Sequence, residues 1–355
     1  MKTKQSFLSR YKGILIFFAV MLLLPFVIGL FEGSNPLEVW NNQGRFSKYL
    51  EGIGIEIFIL AIFALSYDLL FGITGLMSFG HTMFFAVAAY ATGISLKTLG
   101  LPLWQVLLII VGTSIVQALL FSIVLPRVKG VTFTMVTLGL ASMFHIIVMS
   151  SDMIKLTGAD VGLQGVPKPA FIDPSIERLR FYVVALLILV LVYIFYRRFI
   201  DSPTGRVSIA IRENESRAKM LGYNTTAFKV VVMLIASFTA SIAGVLHTLY
   251  QPIVSPTIAD LGYTVTGLLI VLIGGIATLS GSIVGAFVIK ILDLGLRGIM
   301  KDSAPLVTGI VYVVFVLFVP YGIVGSLKLG GLRIKEGWQM LIERFGLKKL
   351  FEKKK

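Results

Sequence analysis

The chain is poor in the residues that build metal and disulfide sites. It has no cysteine among its 355 residues, which excludes disulfides and thiolate metal ligands and leaves the redox compartment undetermined. Its histidines, His81, His145 and His247, are too far apart to show the paired spacing of a zinc site. Charged residues are also scarce, at 14% of the chain, which is too few to cover a water-soluble domain of this size.

The chain also lacks a phosphate-binding loop. A P-loop requires Gly-Lys before Ser or Thr so that backbone amides and the lysine hold the phosphates, and no Gly-Lys dipeptide occurs here. We therefore expect no ATP hydrolysis by that route, no catalytic residues and no bound cofactor or metal. A membrane enzyme, for instance one acting on lipid-linked substrates, would need clustered acids or histidines at one membrane face, which the scattered histidines do not supply.

What the chain has in abundance is apolar sequence. Hydrophobic residues make up 56% of it and the mean hydropathy is +0.90. Apolar runs long enough to cross a bilayer, about 18–25 residues, predict an all-α polytopic membrane protein with about ten transmembrane helices. The predicted spans are 13–30, 53–71, 74–96, 103–125, 131–151, 181–200, 228–250, 263–279, 283–300 and 306–325.

The basic residues predict how the chain is oriented. Most lysines and arginines fall in residues 2–12, 127–129, 197–229 and from 328 onward, which the predicted spans place on one side. Because cytoplasmic loops collect Lys and Arg, both termini are predicted to be cytoplasmic. The net charge of +14 is then a topology signal in a protein whose partner is the lipid bilayer, and no nucleic-acid partner is expected. The first segment resembles a signal peptide but lacks a small-x-small cleavage site, so we interpret it as a retained helix.

These spans divide the chain into a membrane-spanning body and a tail. Residues 1–330 form the transmembrane domain, with external loops at 31–52 and 152–180 and a cytoplasmic loop at 201–227. Glycine-rich segments in both halves hint at an internal repeat. Residues 331–355 form a basic tail with one apolar helical face, suited either to anionic lipid or to a partner protein.

The segment from residue 72, GITGLMSFGHTMFFAVAAY, interrupts the apolar pattern at membrane depth. Gly75, Ser78, Gly80 and His81 are predicted to form a break in or before the third span, where exposed backbone groups require a cavity. A half-helix starting there, with Phe84 in its first turn, could direct its positive end at a carboxylate. The alternative is that His81 is a structural hydrogen-bonding residue and the glycines only permit close packing.

Further candidates lie in the fifth and ninth spans. Thr134, Ala141 and His145 share one face at helical spacing and could line a substrate pathway or simply pack. Lys290, Asp293 and Arg297 share one side of the ninth span, where Asp293 can bridge both cations. We interpret these charges as orienting the helix. A proton or ion relay is the alternative and, with Glu56 and Asp68 on the second span, would indicate a secondary transporter.

The cytoplasmic loop at 201–227 carries helix signals. Pro203 suits a helix start, a mixed-charge helix is predicted from Arg206, Gly222 suits its end, and Asn224 or Thr225 could cap the next helix. From composition alone the loop is either a docking helix or, more commonly, a solvated connector.

Four motifs resemble those of branched-chain amino acid ABC importer permeases. GITGLMSFGHTMFFAVAAYATG resembles the family's G-x-x-G-L-x-S-x-G-H-x-x-F-x-x-x-A-Y signature, and LTGADVGLQGVPKP resembles its external T-G-G-x-D-G-L-x-G-I-P loop. Residues 205–222 are similar to its G-R-x-x-x-A-I-R-E-x-E-x-x-A-x-x-x-G loop, and GGIATLSGSIVGAFV resembles its G-G-x-G-T-L-x-G-P-x-x-G-A. The chain departs from these patterns at Ala86, Ala88, Ala277 and Ser282, where the family usually has glycine or, in the last case, proline.

The resemblance implies a LivM-type subunit that shares its pathway with a second homologous permease. It also implies an external substrate-binding protein and two cytoplasmic ABC ATPases that use the ATP. The loop at 201–227 then becomes the element that meets the ATPase. Its candidate coupling residues are Arg206, Arg212, Glu213, Glu215, Arg217, Ala218 and Gly222. The implied substrates are leucine, isoleucine and valine, and related permeases for urea, short amides or other amino acids remain alternatives.

Overall fold

The computed structural model describes residues 7–33, 35–40, 46–300 and 303–328. The predicted amphipathic tail, 331–355, lies outside the described residues. The described chain consists of helices joined by turns and loops, with one two-stranded sheet, and this confirms the all-α polytopic prediction.

The first half of the chain forms eight helical elements. They are α1 (Phe7–Phe31), α2 (Pro36–Trp40), α3 (Phe46–Asp68) with a π-helical turn at Leu69–Ile73, α4 (Thr82–Lys97), α5 (Leu103–Val124), α6 (Val131–Met149), the short α7 (Ile154–Thr157) and α8 (Arg178–Asp201). In the predicted external loop after α6, strand β1 (Leu163–Gln164) pairs antiparallel with β2 (Ile253–Val254). Helix α3 begins at Phe46, so it takes up part of the predicted 31–52 loop.

The second half contains the remaining helices. They are α9 (Pro203–Glu213), α10 (Glu215–Met220), α11 (Thr225–Tyr250), α12 (Leu261–Gly274), α13 (Ser280–Met300), α14 (Ala304–Phe318) and α15 (Gly322–Lys328). The sequence predicted one helix from Arg206 to Gly222, and this was wrong. Asn214 adopts an extended conformation and its side chain caps α10 by accepting from the Arg217 amide, so the segment becomes two helices.

Each predicted span overlaps a helix, although the span 74–96 begins before α4, which starts at Thr82. The helices are not equally suited to cross a bilayer. Seven described spans are long and apolar enough, including α14 continued through Leu327, while α4 and α12 are shorter apolar helices. The structure therefore supports a multi-pass membrane protein, and the number of ten crossings stays a prediction.

Helices α3 and α11 form the centre of the bundle. From Ile55 to Leu70 nearly every side chain of α3 and its π-helical turn is buried, and α3 contacts α8, α11, α12 and α13. Small residues let α11 approach α4 closely, since a side chain at Gly244 would collide with the Phe85 carbonyl. The outer helices α1, α5, α6 and α14 keep apolar side chains exposed, which suits contact with lipid or with another membrane subunit.

The turn between α12 and α13 is strained. Gly275, Ala277 and Leu279 all have positive φ, at 121°, 59° and 45°. Side chains disfavour this region, so the predicted span 263–279 is wrong at its end, and α12 stops at Gly274.

Candidate functional site at a broken helix

The predicted break lies between α3 and α4. After the π-helical turn, residues 74–81 form turns and irregular chain, and α4 starts at Thr82. Gly75 has a φ of +76°, a conformation that glycine adopts without steric cost. The amides of Gly75 and Leu76 donate to the carbonyls of Phe71 and Leu70 at 3.1 Å and 3.0 Å. Backbone groups at the start of the break are thus satisfied by the protein itself.

His81 is built into this break. It is fully buried, and its Nε2 lies 2.8 Å from the Ser66 hydroxyl. Its ring packs edge-on against Tyr67 and Phe84, with centroids 5.0 Å and 5.4 Å apart. The geometry favours the structural interpretation of His81, with Phe84 as one wall of its pocket.

The other pathway candidates contribute to the same region unequally. The Ser78 carbonyl accepts from the Tyr67 hydroxyl at 3.1 Å, and the Thr134 hydroxyl donates to the Met77 carbonyl at 3.2 Å. Gly80 packs against the α6 backbone, where a side chain would collide with the Thr137 carbonyl. His145 lies apart from the break, and its Nδ1 is 3.2 Å from the Pro256 carbonyl. Six of the seven candidates thus lie in or against the break, and His145 contacts the neighbouring turn at Pro256 instead.

A second broken element meets α4 at this point, and the sequence reasoning missed it. The loop between β2 and α12 forms a 3₁₀ turn at Pro256–Ala259. The Thr82 hydroxyl donates to the Ile258 carbonyl at 2.5 Å, and the Thr82 amide donates to the Thr264 hydroxyl at 3.2 Å. The first turns of α4 and α12 are therefore joined by a hydrogen bond inside the bundle. Ser255-Pro256 followed by Asp260, which caps α12, was the available sequence signal.

The coupling candidates lie on α9 and α10. Ser202 and Asn214 cap the two helices by accepting from the amides of Gly205 and Arg217, at 3.2 Å and 2.9 Å. Gly222, at φ +87°, ends the segment, and Asn224 caps α11 by accepting from the Ala227 amide at 3.2 Å. The predicted stop and cap are confirmed.

Glu215 fastens α10 to the start of α11. It pairs with Lys229 at 2.8 Å and Lys219 at 3.1 Å, and accepts from the Thr225 hydroxyl at 3.1 Å. Burial acts to raise the pKa of Glu215, but hydrogen bonds from Lys229, Lys219 and Thr225, together with the charge of Lys229, outweigh it and lower the pKa from 4.5 to about 2. Glu215 is thus an internal clamp rather than a free docking charge.

The exposed part of the loop has both charge and apolar surface. Arg206, Glu213 and Arg217 are exposed, and Met220 and Leu221 are 81% and 73% exposed. Ala218 was expected to allow close approach of a partner, and this was wrong, because it is only 3% exposed and packs inward. Gly222 has open space around it.

Arg212 is exposed on the same loop, and it also reaches inward, because its guanidinium Nη1 donates to the carbonyl of Gly72 in the π-helical turn. Its side-chain stem lies against Gly75, where an added Cβ would be 3.1 Å from the Arg212 Cγ. The coupling loop and the helix break, predicted as separate sites, are therefore in direct contact.

The intramembrane charges are paired differently from the prediction. Asp293 bonds Arg297 at 2.8 Å, whereas Lys290 pairs with Glu56 of α3. Asp293 does not bridge both cations, because Lys290 has a carboxylate partner on the facing helix. Asp68 accepts from the amides of Ala277 and Leu279, at 2.7 Å and 3.3 Å. Each of these acids is occupied by a structural partner, which favours an orienting role over a relay.

In the described ranges, no group of three His, Asp or Glu side chains is placed to hold a metal ion. A groove of about 600 Å³ lies between α1, α8 and α13, lined mainly by apolar side chains such as Phe17, Met21 and Phe287. Its polar lining side chains are Tyr193 and Ser280, and none of the break residues 74–81 lines it.

Comparison with known proteins gives a consistent result. The family described as "Branched-chain amino acid transport system / permease component" matches residues 49–319. The high-affinity branched-chain amino acid transport system permease protein LivM of Salmonella typhimurium is 26% identical over 303 residues, covering 79% of this chain and 70% of the relative. The probable LivM of Methanocaldococcus jannaschii is 33% identical over 138 residues, covering 37% and 40%.

More distant relatives are similar over much of the chain too. The LivH permease of Salmonella typhimurium is 21% identical over 283 residues, covering 75% of this chain and 91% of the relative. No solved structure matches the chain.

Proposed function

Because the chain belongs to the family of branched-chain amino acid transport permeases, of the LivM type, we propose that it is a transmembrane subunit of an ATP-driven importer of leucine, isoleucine and valine. The importer would work in a bacterial or archaeal cytoplasmic membrane. The chain would form the translocation pathway together with a second, homologous permease, and an external binding protein would deliver the substrate. Two cytoplasmic ATPases would supply the energy.

The observation that carries ATP coupling is the construction of the loop at 201–227. Glu215 and the two caps fix its shape, and it still presents Met220, Leu221 and several charges to solvent. Exposed apolar side chains on a rigid segment, surrounded by charged residues, are typical of a protein interaction site. Arg212 ties the same loop to the broken helix. A partner that moves this loop therefore acts directly on the membrane-embedded part.

Substrate choice is the finer part of the proposal. It rests on the transport system for which the relatives are named, and permeases of the same family for urea, short amides or other amino acids are the alternatives. An ion-coupled secondary transporter is less well supported, because Glu56, Asp68 and Asp293 are engaged by structural partners.

The decisive experiment is purification of the tagged chain in mild detergent, mass spectrometry of the proteins bound to it, and reconstitution of the complex. We expect a second permease and P-loop ATPases to co-purify, and uptake of labelled leucine to require ATP and the loaded binding protein. Excess isoleucine and valine should compete, whereas urea and acetamide should not. Uptake driven by an ion gradient without ATP would contradict the proposal.

Gly222→Asp tests the coupling loop directly. A side chain at φ +87° costs about 1–2 kcal/mol of backbone strain, and the new charge lies beside the exposed Met220 and Leu221. We expect ATP-coupled uptake to be lost while the protein still inserts into the membrane. Gly100→Asp is the matched control, because Gly100 has a φ of +62° and open space in the loop between α4 and α5. Equal uptake by the two variants would remove the docking assignment.

A further inference from the structure

We infer that Arg212 is a positioning residue that transmits movement of the coupling loop to the helix break, and that Asp68 carries it on to the turn between α12 and α13. The importance of this chain of contacts for transport rests on the proposed function, but the contacts themselves do not. They connect three segments that are far apart in the sequence: the π-helical turn, α9, and residues 275–279.

The first contact joins α9 to the π-helical turn. Carbonyls in the last turn of a helix lack partners within the helix, and a cation there is favoured by the helix dipole. The Arg212 guanidinium supplies both a donor and a positive charge to Gly72. Since the arginine stem also lies on the Gly75 backbone, the side chain is held on both sides of the break's first turn.

The second contact joins the same turn to the α12–α13 turn. Asp68 is fully buried, and its two carboxylate oxygens accept from the amides of Ala277 and Leu279. Gly72 makes room for this carboxylate, because a side chain there would collide with it. The π-helical turn is therefore fixed by two contacts. Arg212 of α9 donates to its Gly72 carbonyl, and Asp68, directly before the turn, accepts from the amides of the α12–α13 turn.

The α12–α13 turn, to which Asp68 is hydrogen-bonded, is strained and depends on its contacts to keep its conformation. Ala277 and Leu279 are both in the left-handed region, which costs a side-chain-bearing residue roughly 1–2 kcal/mol each. Such strain persists only where surrounding contacts impose it. If Arg212 is displaced, the π-helical turn, the carboxylate and the strained turn are free to shift together, and the starts of α4 and α13 shift with them.

The first test needs no transport activity and uses the absence of cysteine. Ser280→Cys at the start of α13 gives a single thiol in a partly buried position. We would measure its rate of modification by a water-soluble maleimide in membranes, in the otherwise unchanged chain and with Arg212→Gln, Asp68→Asn or Arg197→Gln added. Arg197 is the matched control, an arginine at the same end of the bundle that pairs with Asp201 at 3.8 Å.

We expect Arg212→Gln to raise the modification rate by roughly threefold or more, because the turn opens more often, and Arg197→Gln to leave it unchanged. Asp68→Asn should also raise the modification rate. The asparagine NH₂ group would replace one acceptor oxygen and would face a backbone N–H, so that two donors would meet. A rate for Arg212→Gln equal to the Arg197→Gln rate would overturn the inference, whether or not the Asp68 variant folds.

The second test uses the complete complex. We expect Arg212→Gln to keep its bound ATPases and basal ATP hydrolysis, but to lose uptake by roughly tenfold and to lose stimulation by the loaded binding protein. Arg212→Lys should recover part of both, because an ammonium group can still donate to the Gly72 carbonyl. Loss of the ATPases from Arg212→Gln would make Arg212 a docking residue and overturn the inference. If the unaltered complex has no ATP-driven uptake, the proposed function fails, and the maleimide result decides this inference alone.

Discussion

At the scale of single residues, the contact between the π-helical turn and the α12–α13 turn requires glycine at one position. At another position it holds an alanine in a conformation that favours glycine. A side chain at Gly72 would collide with the Asp68 carboxylate and lie 2.8 Å from the Ala277 amide. Ala277 is the reverse case. It stands where the family usually has glycine, and its φ is 59°. The resemblance alone indicated only that a small residue was retained, whereas the backbone angle shows that the alanine is strained.

Opposite substitutions at these two positions should therefore change stability in opposite directions. Gly72→Ala should lower the free energy of unfolding by about 1–3 kcal/mol through overpacking, and Ala277→Gly should raise it by about 1 kcal/mol through relief of strain. The measurement is thermal unfolding in detergent. Gly139→Ala in α6 is the control, since nothing lies within 4 Å of its added Cβ, and it should not destabilise. A loss of stability in Ala277→Gly would show that the left-handed turn is not strained.

At the scale of elements, the cytoplasmic loop is two short helices made rigid by one carboxylate. Helix α10 has only six residues, which is too short to be stable by itself. The contacts of Glu215 with Lys229 and Thr225 on α11 supply the stability that a helix of this length lacks. The rigidity matters because a loose loop would absorb a partner's movement without passing it on.

Glu215→Gln should loosen α10. We expect faster hydrogen exchange of the amides between 215 and 225 at neutral pH, since the charge that binds both lysines is lost. The unaltered chain should show the same loosening in acid. Because the pKa of Glu215 is lowered from 4.5 to about 2, its stabilisation is complete above pH 4.5 and is lost as the pH falls towards 2. Glu213→Gln, an exposed neighbour, is the control. Unchanged exchange in Glu215→Gln would contradict the clamp.

At the scale of the whole molecule, the distribution of basic residues predicts that both termini are cytoplasmic. Residues on α10 and in the 152–180 loop lie at opposite ends of the bundle. We expect Phe171→Cys to react with an impermeant maleimide added outside intact cells, and Met220→Cys to react only after the cells are opened. Their exposures, 62% and 81%, make them a matched pair. The opposite pattern would invert the topology.

Much of this architecture could be predicted from the chain, and the parts that could not have a common physical cause. Span positions, the break before α4, and the stop at Gly222 follow from local patterns of apolar residues, glycine and caps. The partners of Arg212, Lys290 and Asp68 do not, because each lies on an element distant in sequence. Periodicity placed Lys290 beside Asp293, but the stronger neighbour is Glu56 across the helix interface.

The hydrogen bond between Thr82 and Thr264 has a consequence for how the protein is made. The two residues are 182 positions apart, so the amide that opens α4 has no native acceptor from Thr264 until that residue has been synthesised. At about 5–20 residues per second, that interval is roughly 10–40 s. During biosynthesis the interior of the bundle therefore stays incomplete in the membrane until the second half of the chain has been made. A ribosome that stalls between α4 and α12 leaves a protein whose interior cannot close.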